Sequence, residues 1–362
     1  MIKKIFSQLS ITAKNSPLLI AIFFFMYGMY LRLIRLNNRE LWVDEIHQYK
    51  TMLGEFKPFW QRLRYGDVTA FPGEYILGLP VINISSMNKW VLAIPHFFIT
   101  ILGFYLLYIL CVRYMRSWVG FFITFMMFSM NSNLVYHALE FRPYAVLPVL
   151  ALAALVITGV LATNFNSLSL VKKIFIAIAI VGIVNYHAYG IFIFMLPLLF
   201  QGLSLLIDTS KGEKDFKEEL KSFPWVFLTF TLAVAGGIWF WYIGFTAPPW
   251  LSTFEFIQNP TQNPIGFLKD VFGNICGDTR FKFLLLACLP FLPNPNWAKQ
   301  FTFLAVLVIL PIEIILLLDL KSQYWFVQRQ FVWVMPFFAI WVGWSIDSLY
   351  MSFLNHRCKI KS

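Results

Sequence analysis

Apolar runs long enough to cross a membrane recur along almost the whole chain, from Pro17 to Tyr350. A helix needs about 20 apolar residues to cross the ~30 Å hydrocarbon core of a bilayer. These runs have to be helical, because an unpaired backbone group in lipid costs several kcal/mol and barrel strands have only about 10 alternating residues. Only 13% of the residues are charged, against about 25% in soluble domains. The sequence therefore predicts an all-α, polytopic transmembrane helical bundle.

The hydropathy pattern predicts about ten membrane spans. They cover residues 17–36, 89–112, 117–136, 143–163, 171–186, 189–207, 223–245, 280–293, 299–318 and 331–350. Two are weak, because 171–186 has only about a dozen apolar residues and 280–293 is short and interrupted by prolines; a re-entrant segment is the alternative for either. The longest connections, 37–88 and 246–280, are too short for a separate soluble domain. Residues 1–362 are therefore expected to form a single transmembrane domain.

The basic residues predict the orientation of the chain. An even number of spans places both termini on one side, and every connection on that side is basic, through Arg113, Arg116, Lys172, Lys173, Lys211 to Lys221, Lys299, Arg357, Lys359 and Lys361. Loops rich in Lys and Arg stay in the cytoplasm, so both termini are expected there and loops 37–88 and 246–280 on the outer face. The net charge of +11 then reflects topology and anionic lipid, and no nucleic-acid partner is expected.

The outer loop 37–88 is predicted to contain a helix lying in the membrane interface. Residues 46–63 mix apolar and basic side chains, which is typical of interfacial helices. An ordinary connecting loop is the alternative, since Gly54 and Pro58 interrupt the helical period. The apolar segment 73–86 is too short to span the bilayer and is expected to do no more than dip into the interface.

Asp44 and Glu45 follow the first span, within this loop. Neighbouring residues of a helix lie about 100° apart, so one carboxylate can face a substrate while the other pairs with a cation. Asp44 is then a candidate general base that takes a proton from an acceptor hydroxyl. The alternative is structural: Asp44 would cap the interfacial helix and Glu45 would lie in its first turn.

Three further polar positions are predicted on the same outer face. Glu140 and Arg142 stand between the third and fourth spans. Arg142 offers forked donors to a phosphate. The alternative is that Glu140 and Arg142 only form a surface ion pair with each other. His187 can bind phosphate, a metal or a sugar hydroxyl, or can be an interfacial side chain between two tyrosines. Arg329 precedes the last span. Its side chain is predicted either to be a second phosphate contact or to anchor the chain at the membrane interface. Because all these positions share one side, they favour a common site.

Several other kinds of chemistry are disfavoured. The sequence contains no GxxxxGK[ST], HExxH or GxSxG motif, so ATP hydrolysis and zinc proteolysis lose most of their support. The four cysteines are scattered, at Cys111, Cys276, Cys288 and Cys358. Neither a disulfide framework nor a Cys/His metal cluster is expected from such spacing.

At these positions the sequence resembles the GT-C superfamily of polytopic glycosyltransferases, in the branch with protein O-mannosyltransferases and lipid A aminoarabinose transferases. WVDE at 42–45 is similar to that family's first-loop Asp-Glu motif, and EFRPYAVLPVLALAALV at 140–156 to its E-x-R-P-Y-A-L segment. YHAYGIFIFMLPLLF at 186–200 is similar to its helix that opens with a Tyr-His pair. RQFVWVMPFFAI at 329–340 is similar to its R-Y-x-x-P-x-x-P segment. The four segments follow the family's order.

The resemblance implies a hexosyl or pentosyl transferase, usually inverting, that uses a polyprenyl-phosphate sugar donor. The acceptor would be a lipid, a glycan or a protein on the outer face of a bacterial inner membrane, in assembly of the cell envelope. Asp44 would be the general base and Glu45 a supporting or metal-coordinating carboxylate, with the need for a divalent metal left open. The remaining site residues would be the phosphate contacts Arg142, His187 and Arg329 and the substrate contacts Glu140, Tyr144 and Tyr186.

Some features depart from the family pattern, and two other classes of protein stay open. Pro336 stands alone where two prolines are usual, which weakens the role expected of Arg329. The alternatives are a lipid or polysaccharide transporter and a non-catalytic subunit of an envelope-assembly complex. A transporter would place ionisable residues near the middle of the membrane, where Glu313 is the clearest case. A non-catalytic subunit would tolerate replacement of Asp44.

Overall fold

The computed structural model describes residues 2–53, 71–187, 189–213, 215–246, 297–322 and 328–360, together with isolated positions between 266 and 275. The secondary structure of these ranges is helical, without a strand among them. This confirms the predicted all-α class. The predicted span 280–293 and most of the predicted outer loop 246–280 lie outside the described residues.

The helices of the described ranges are α1 (Ile2–Asn37), α2 (Val43–Leu53), α3 (Phe71–Ser85), α4 (Ile94–Tyr114), α5 (Trp118–Met130), α6 (Ser132–His137), α7 (Leu147–Thr163), α8 (Leu170–Tyr186), α9 (Gly190–Ser210), α10 (Phe216–Ser222), α11 (Trp225–Thr246), α12 (Ala298–Leu304), α13 (Leu310–Ser322) and α14 (Met335–Ile360). A single helical turn covers Lys89–Leu92, and 3-10 turns cover Pro143–Ala145, Phe165–Ser167 and Gln328–Val334. A π-helical turn, Ala305–Ile309, joins α12 to α13.

Five described segments are long and apolar enough to cross a membrane: Pro17–Asn37, Ile94–Tyr114, Gly190–Ser210, Ala298–Leu317 and Phe331–His356. A sixth candidate is the pair formed by α10 and α11, which meet at a bend of 51°. The chain is thus an all-helical protein with several helices that can span a bilayer. The finer count of ten spans stays a prediction.

Three predicted spans correspond to helices that are short for a straight membrane crossing. α5, α7 and α8 have 13, 17 and 17 residues, fewer than the roughly 20 that a straight crossing needs. α5 ends at Asn131, whose side-chain oxygen accepts the amides of Asn133 and Leu134 and so caps α6. α7 starts only after the 3-10 turn Pro143–Ala145. Residues 138–146 between them form turns, and most of their side chains are buried.

The centre of the bundle is α7. Its residues Ala151, Leu152 and Ala154 have no exposed surface, and it packs against α4, α9 and α14. α14 also packs along α5, and α5 packs along α1. The outer helices keep large apolar side chains on the surface, such as Phe23 of α1 and Phe98 of α4, which are 62% and 64% exposed. A surface of this kind suits lipid better than water.

The bundle has two ends, named here after one residue at each. At the Asp44 end, α1 and α8 finish and α4 and α9 start; Lys89 Nζ, just before α4, donates to the carbonyl of Asn37 at 2.9 Å. At the Asp347 end, α4 finishes and α5 starts, and the Asp347 carboxylate accepts the amides of Arg116 and Ser117 at 2.8 and 2.7 Å. The 21 residues of α4 make it about 32 Å long. The two ends are therefore about one hydrocarbon thickness apart.

The described part of the predicted interfacial helix is α2, and residues 54–70 lie outside the described ranges. α2 buries Tyr49 and Met52 against Tyr75 of α3 and against Phe141. This apolar contact holds the first turn of α2 over the turns at 138–146. It is this packing that positions the candidate site.

Candidate functional site

Asp44 and Glu45 lie in the first turn of α2 but have different surroundings. The helix is capped at Trp42, since the amides of Glu45 and Ile46 donate to the Trp42 carbonyl at 3.0 and 3.1 Å. The Glu45 carboxylate folds back and accepts the Trp42 amide at 3.2 Å, as an acidic residue does at the third position of a capping box. Asp44 is therefore not the cap. Its side chain is 34% exposed, whereas that of Glu45 is fully buried.

Glu45 ties together three segments of the chain. It accepts two hydrogen bonds from Arg39, at 2.5 and 2.9 Å, and one from the amide of Phe141 at 2.7 Å. Arg39 also donates to the carbonyl of Leu139 at 3.1 Å. Burial by itself would lower the pKa of Arg39, but the hydrogen bonds and the charge of Glu45 outweigh it and raise this pKa. These contacts favour the supporting role expected of Glu45 over the metal-coordinating one.

Arg142 lies beside Asp44. Its Nη2 is 4.0 Å from Oδ2 of Asp44, and its Nη1 donates to Oε1 of Gln48 at 3.3 Å. The guanidinium carbon lies 5.7 Å from the centre of the Tyr144 ring, within the range of a cation–π contact. The Arg142 side chain is only 5% exposed. A solvent-accessible carboxylate and a buried guanidinium, predicted as base and phosphate contact, are thus neighbours in the structure.

Glu74, in α3, extends this hydrogen-bond network into the protein. Its Oε1 accepts a bond from Nε2 of Gln48 at 3.3 Å and lies 3.0 Å from Nε2 of His96. Its other oxygen accepts a bond from the Tyr186 hydroxyl. Neither Glu74 nor His96 has any exposed surface. Through Gln48, which also accepts the bond from Arg142, the buried carboxylate is linked to the residues beside Asp44.

The sequence did contain a signal for Glu74 and His96, which were not predicted as site residues. Glu74 is the only charged residue of the otherwise apolar α3, and α4 contains no Asp, Glu, Lys or Arg before Arg113. An ionisable side chain in such a helix is costly and needs a partner. Gln48 and Arg39 had no such signal, because they lie among many other polar residues.

Gly73 allows α3 to approach α8 closely. A Cβ at Gly73 would lie 2.4 Å from the Tyr186 ring and 2.9 Å from the Tyr186 Cα. We expect Gly73→Ala to destabilise the folded protein by about 1–3 kcal/mol, as overpacking does, and to lower its thermal midpoint in detergent. Gly182→Ala in α8 is the matched control, since nothing lies within 4 Å of its added methyl group. Equal midpoints for the two variants would contradict the close contact.

The Glu74 carboxylate predicts a loss of stability in acid. Burial would raise the pKa of Glu74, but the charge of His96 and the hydrogen bonds from His96, Tyr186 and Gln48 outweigh it, and the pKa is lowered. A carboxylate of this kind contributes stability above its unfolded-state pKa of about 4.3, and the contribution disappears as the pH falls through the lowered value. We expect the thermal midpoint of wild-type protein to fall more steeply below about pH 4 than that of Glu74→Gln. Parallel pH profiles of the two proteins would contradict this linkage.

Glu140 and Tyr144 are buried in the turns between α6 and α7. The Glu140 carboxylate lies 2.7 Å from Nδ1 of His137, so Glu140 has a close partner other than Arg142. The His137 ring packs against the Tyr144 ring, with 5.7 Å between the centroids. His137 was not among the predicted site residues. These contacts stabilise the conformation of the turn that contains Arg142.

His187 is fully buried where α8 ends. Its Nδ1 accepts the amide of Tyr189 at 3.2 Å, which selects the tautomer with a proton on Nε2. The His187 and Tyr189 rings pack together with centroids 5.1 Å apart. His187 follows Tyr186 directly and so adjoins the Glu74 network, but it lies inside the protein and shapes the turn into α9.

Arg329 lies in the 3-10 turn Gln328–Val334, and its side chain is outside what the structure describes. This turn packs against the turn Pro143–Ala145 and against α7. Phe331 of the same turn has its ring centroid 6.2 Å from that of Tyr189. The backbone segments that contain the four motifs therefore meet at the Asp44 end of the bundle.

The described residues offer no ready-made metal site. Among them, no group of three or more His, Cys, Asp and Glu side chains is arranged to hold a metal ion. The chemistry available at the Asp44 end is that of an accessible carboxylate beside a buried cation, with a second, fully buried carboxylate behind them in the hydrogen-bond network.

Comparison with known proteins gives no relative from which a function can be transferred. No family model matches the sequence, and neither a curated protein nor a solved structure matches the chain.

Proposed function

We propose that this chain is a membrane glycosyltransferase of the GT-C kind, which moves a sugar from a polyprenyl-phosphate donor to an acceptor at the Asp44 end of the bundle. The observation that carries the proposal is the partly exposed Asp44 carboxylate 4.0 Å from the buried Arg142 guanidinium. A base for the acceptor and a cation for the departing phosphate are the two groups that this transfer needs. The Asp44 end would be the outer face, because Arg113 and Arg116 mark the opposite end as cytoplasmic.

In this mechanism Asp44 takes the proton of an acceptor hydroxyl while the hydroxyl oxygen attacks the anomeric carbon of the donor sugar. The bond from that carbon to the phosphate oxygen breaks, and its electron pair leaves with the polyprenyl phosphate. Arg142 stabilises the charge of the departing phosphate, and its low exposure strengthens the interaction because little water screens it. Attack opposite to the leaving group inverts the anomeric configuration.

The proposal is tested with purified full-length protein in liposomes. Radiolabelled polyprenyl-phosphate hexoses and pentoses are supplied one at a time, with extracted envelope lipids and glycans as acceptors. We expect one donor class to be consumed, with equal amounts of labelled acceptor and free polyprenyl phosphate. Absence of turnover and of saturable binding for every donor, by protein that remains folded, would count against the proposal.

Arg142→Gln tests the phosphate contact separately. Hydrogen bonds to charged groups contribute about 1.5–3 kcal/mol, so we expect donor affinity to fall by roughly tenfold to a hundredfold. Arg142→Lys keeps the charge but loses the forked donors, and is expected to lie between wild type and Arg142→Gln. The measurement is a binding titration with the labelled donor. Wild-type affinity in Arg142→Gln would remove this residue from the donor site.

The distribution of buried charge supports a transferase over the alternative of a transporter. Most buried ionisable residues of the described ranges lie at the Asp44 end: Arg39, Glu45, Glu74, His96, His137, Glu140, Arg142 and His187. Arg32 is also buried, inside the membrane-crossing part of α1, where its guanidinium is bound to the carbonyls of Gly28, Phe128 and Ser129. Asp208 and Asp347 lie toward the other end. Glu313, the residue that a transporter would place in its route, is exposed on α13. Ionisable residues gathered mainly at one end of the bundle are suited to a reaction at the membrane surface.

A further inference from the structure

An elongated cavity lies at the Asp347 end of the bundle, between α4, α7, α9 and the α10–α11 bend. Its volume is about 540 Å³, within the range of roughly 300–1,000 Å³ for sites that take small molecules. Its lining follows α9 from Leu198 to Asp208, about 15 Å along the helix. His96 of the candidate site and Arg113 of this cavity lie at opposite ends of α4. The cavity is therefore separate from the Asp44 site.

The lining changes from apolar to charged along α9. Toward the middle of the bundle the walls include Leu198, Phe200 and Leu203. Toward the end of the bundle they include two cations and two carboxylates, Arg113, Lys299, Asp208 and Glu219. A ligand that matches this lining has an apolar chain and a polar, charged head.

Arg113 is the cation of this rim that is best placed to bind an anion. Lys299 is already neutralised by its ion pair with Asp208. Arg113 is exposed and forms no ion pair with another described residue. A Cβ at Gly159 would lie 2.4 Å from Nη1 of Arg113, so the guanidinium lies directly on the backbone of α7. That contact holds its forked donors at the mouth of the cavity.

The elements around the mouth indicate the level of the lipid headgroups. α10 is short, has exposed charged residues and meets α11 at 51°, as expected of a helix lying in the membrane interface. Trp225 at the start of α11 is 48% exposed and donates from its indole nitrogen to the Leu220 carbonyl at 2.9 Å. Tryptophan with an anchored polar edge is typical of this level of the bilayer. The apolar part of the cavity then lies at the depth of acyl chains.

We propose that this cavity binds a glycerophospholipid of the surrounding bilayer, with one acyl chain along α9 and the phosphate against Arg113. The cavity matches such a lipid in polarity and in its depth in the bilayer. It also matches in charge, because one guanidinium outside any described ion pair suits one phosphate. This site is at the opposite end of the bundle from Asp44. The inference does not depend on the proposed glycosyltransferase activity.

The acyl-chain contact is tested by filling the cavity. Gly202 lines it, and nothing lies within 4 Å of a Cβ at this position, so Gly202→Phe adds volume inside the cavity without a clash at the backbone. Gly182→Phe is the matched control, because Gly182 is equally open but outside the cavity. Native mass spectrometry of the full chain, titrated with phosphatidylglycerol, should show saturable binding to wild type and Gly182→Phe, and its loss in Gly202→Phe. Undiminished binding to Gly202→Phe would overturn the site.

The phosphate contact is tested with a second pair of variants and a neutral lipid. We expect Arg113→Gln to bind phosphatidylglycerol on the order of tenfold more weakly, as for loss of a charged hydrogen bond, and Arg116→Gln, whose side chain is exposed outside the cavity, to bind like wild type. Diacylglycerol with the same acyl chains should bind wild type about as weakly as phosphatidylglycerol binds Arg113→Gln. Equal affinity of wild type for the two lipids, or of Arg113→Gln and Arg116→Gln for phosphatidylglycerol, would overturn the phosphate contact.

Discussion

Asp44→Asn is expected to lower the rate of sugar transfer by about 10²- to 10⁴-fold, the usual effect of losing a general base. Asparagine has the shape of aspartate but cannot take up the proton of the attacking hydroxyl. The contact from Asp44 to Arg142 is 4.0 Å long and the Asp44 side chain is 34% exposed. The substitution should therefore leave the fold and the donor affinity nearly unchanged.

The rate is measured under donor saturation in liposomes, next to Glu40→Gln as the matched control. Glu40 lies in the same connection after α1, with a side chain that is 96% exposed, and its variant is expected to transfer sugar like wild type. Size-exclusion profiles and donor binding show that Asp44→Asn is folded. Wild-type turnover in Asp44→Asn would rule out this residue as the base and would favour a non-catalytic subunit.

Glu45→Gln is expected to destabilise the protein by about 3–5 kcal/mol, the usual cost of removing one partner of a buried ion pair. The change leaves the Arg39 guanidinium buried without its charge partner. It also weakens the bonds that Glu45 accepts from the amides of Phe141 and Trp42. Because these bonds connect α2 to the turn that carries Arg142, any loss of transfer rate should follow loss of folded structure.

The free energy of unfolding is measured by SDS titration in mixed micelles. Glu40→Gln again serves as the control, since its exposed contact with Lys89, at 4.0 Å, is worth at most about 1 kcal/mol. Arg39→Gln should resemble Glu45→Gln, and the double variant should cost less than the sum of the two, because their effects share one interaction. Strict additivity would show that the pair is not coupled.

The candidate site was only partly predictable from the sequence. Asp44 and Arg142 stood out because each lies in a polar connection beside a long apolar run. The sequence did not indicate the different environments of Asp44 and Glu45, because the two residues occupy adjacent polar positions. Their environments are decided by Arg39 and by the amide of Phe141, which lies 96 residues beyond Glu45. Likewise, the helix of the third predicted span ends at Asn131, whose side chain caps the next helix. A hydropathy pattern does not predict such a cap.

The helical class and the presence of membrane-crossing segments were determined by the sequence alone. A helix in lipid satisfies its backbone hydrogen bonds within itself, so a local apolar run is enough to predict it. Only the tertiary structure brought Glu74 to His96 and Tyr186, 22 and 112 residues away, and Asp44 to Arg142. Such contacts depend on which helix faces pack together. Because apolar helices gain similar energy from lipid and from one another, hydropathy leaves that choice open, and close packing with buried polar bonds decides it.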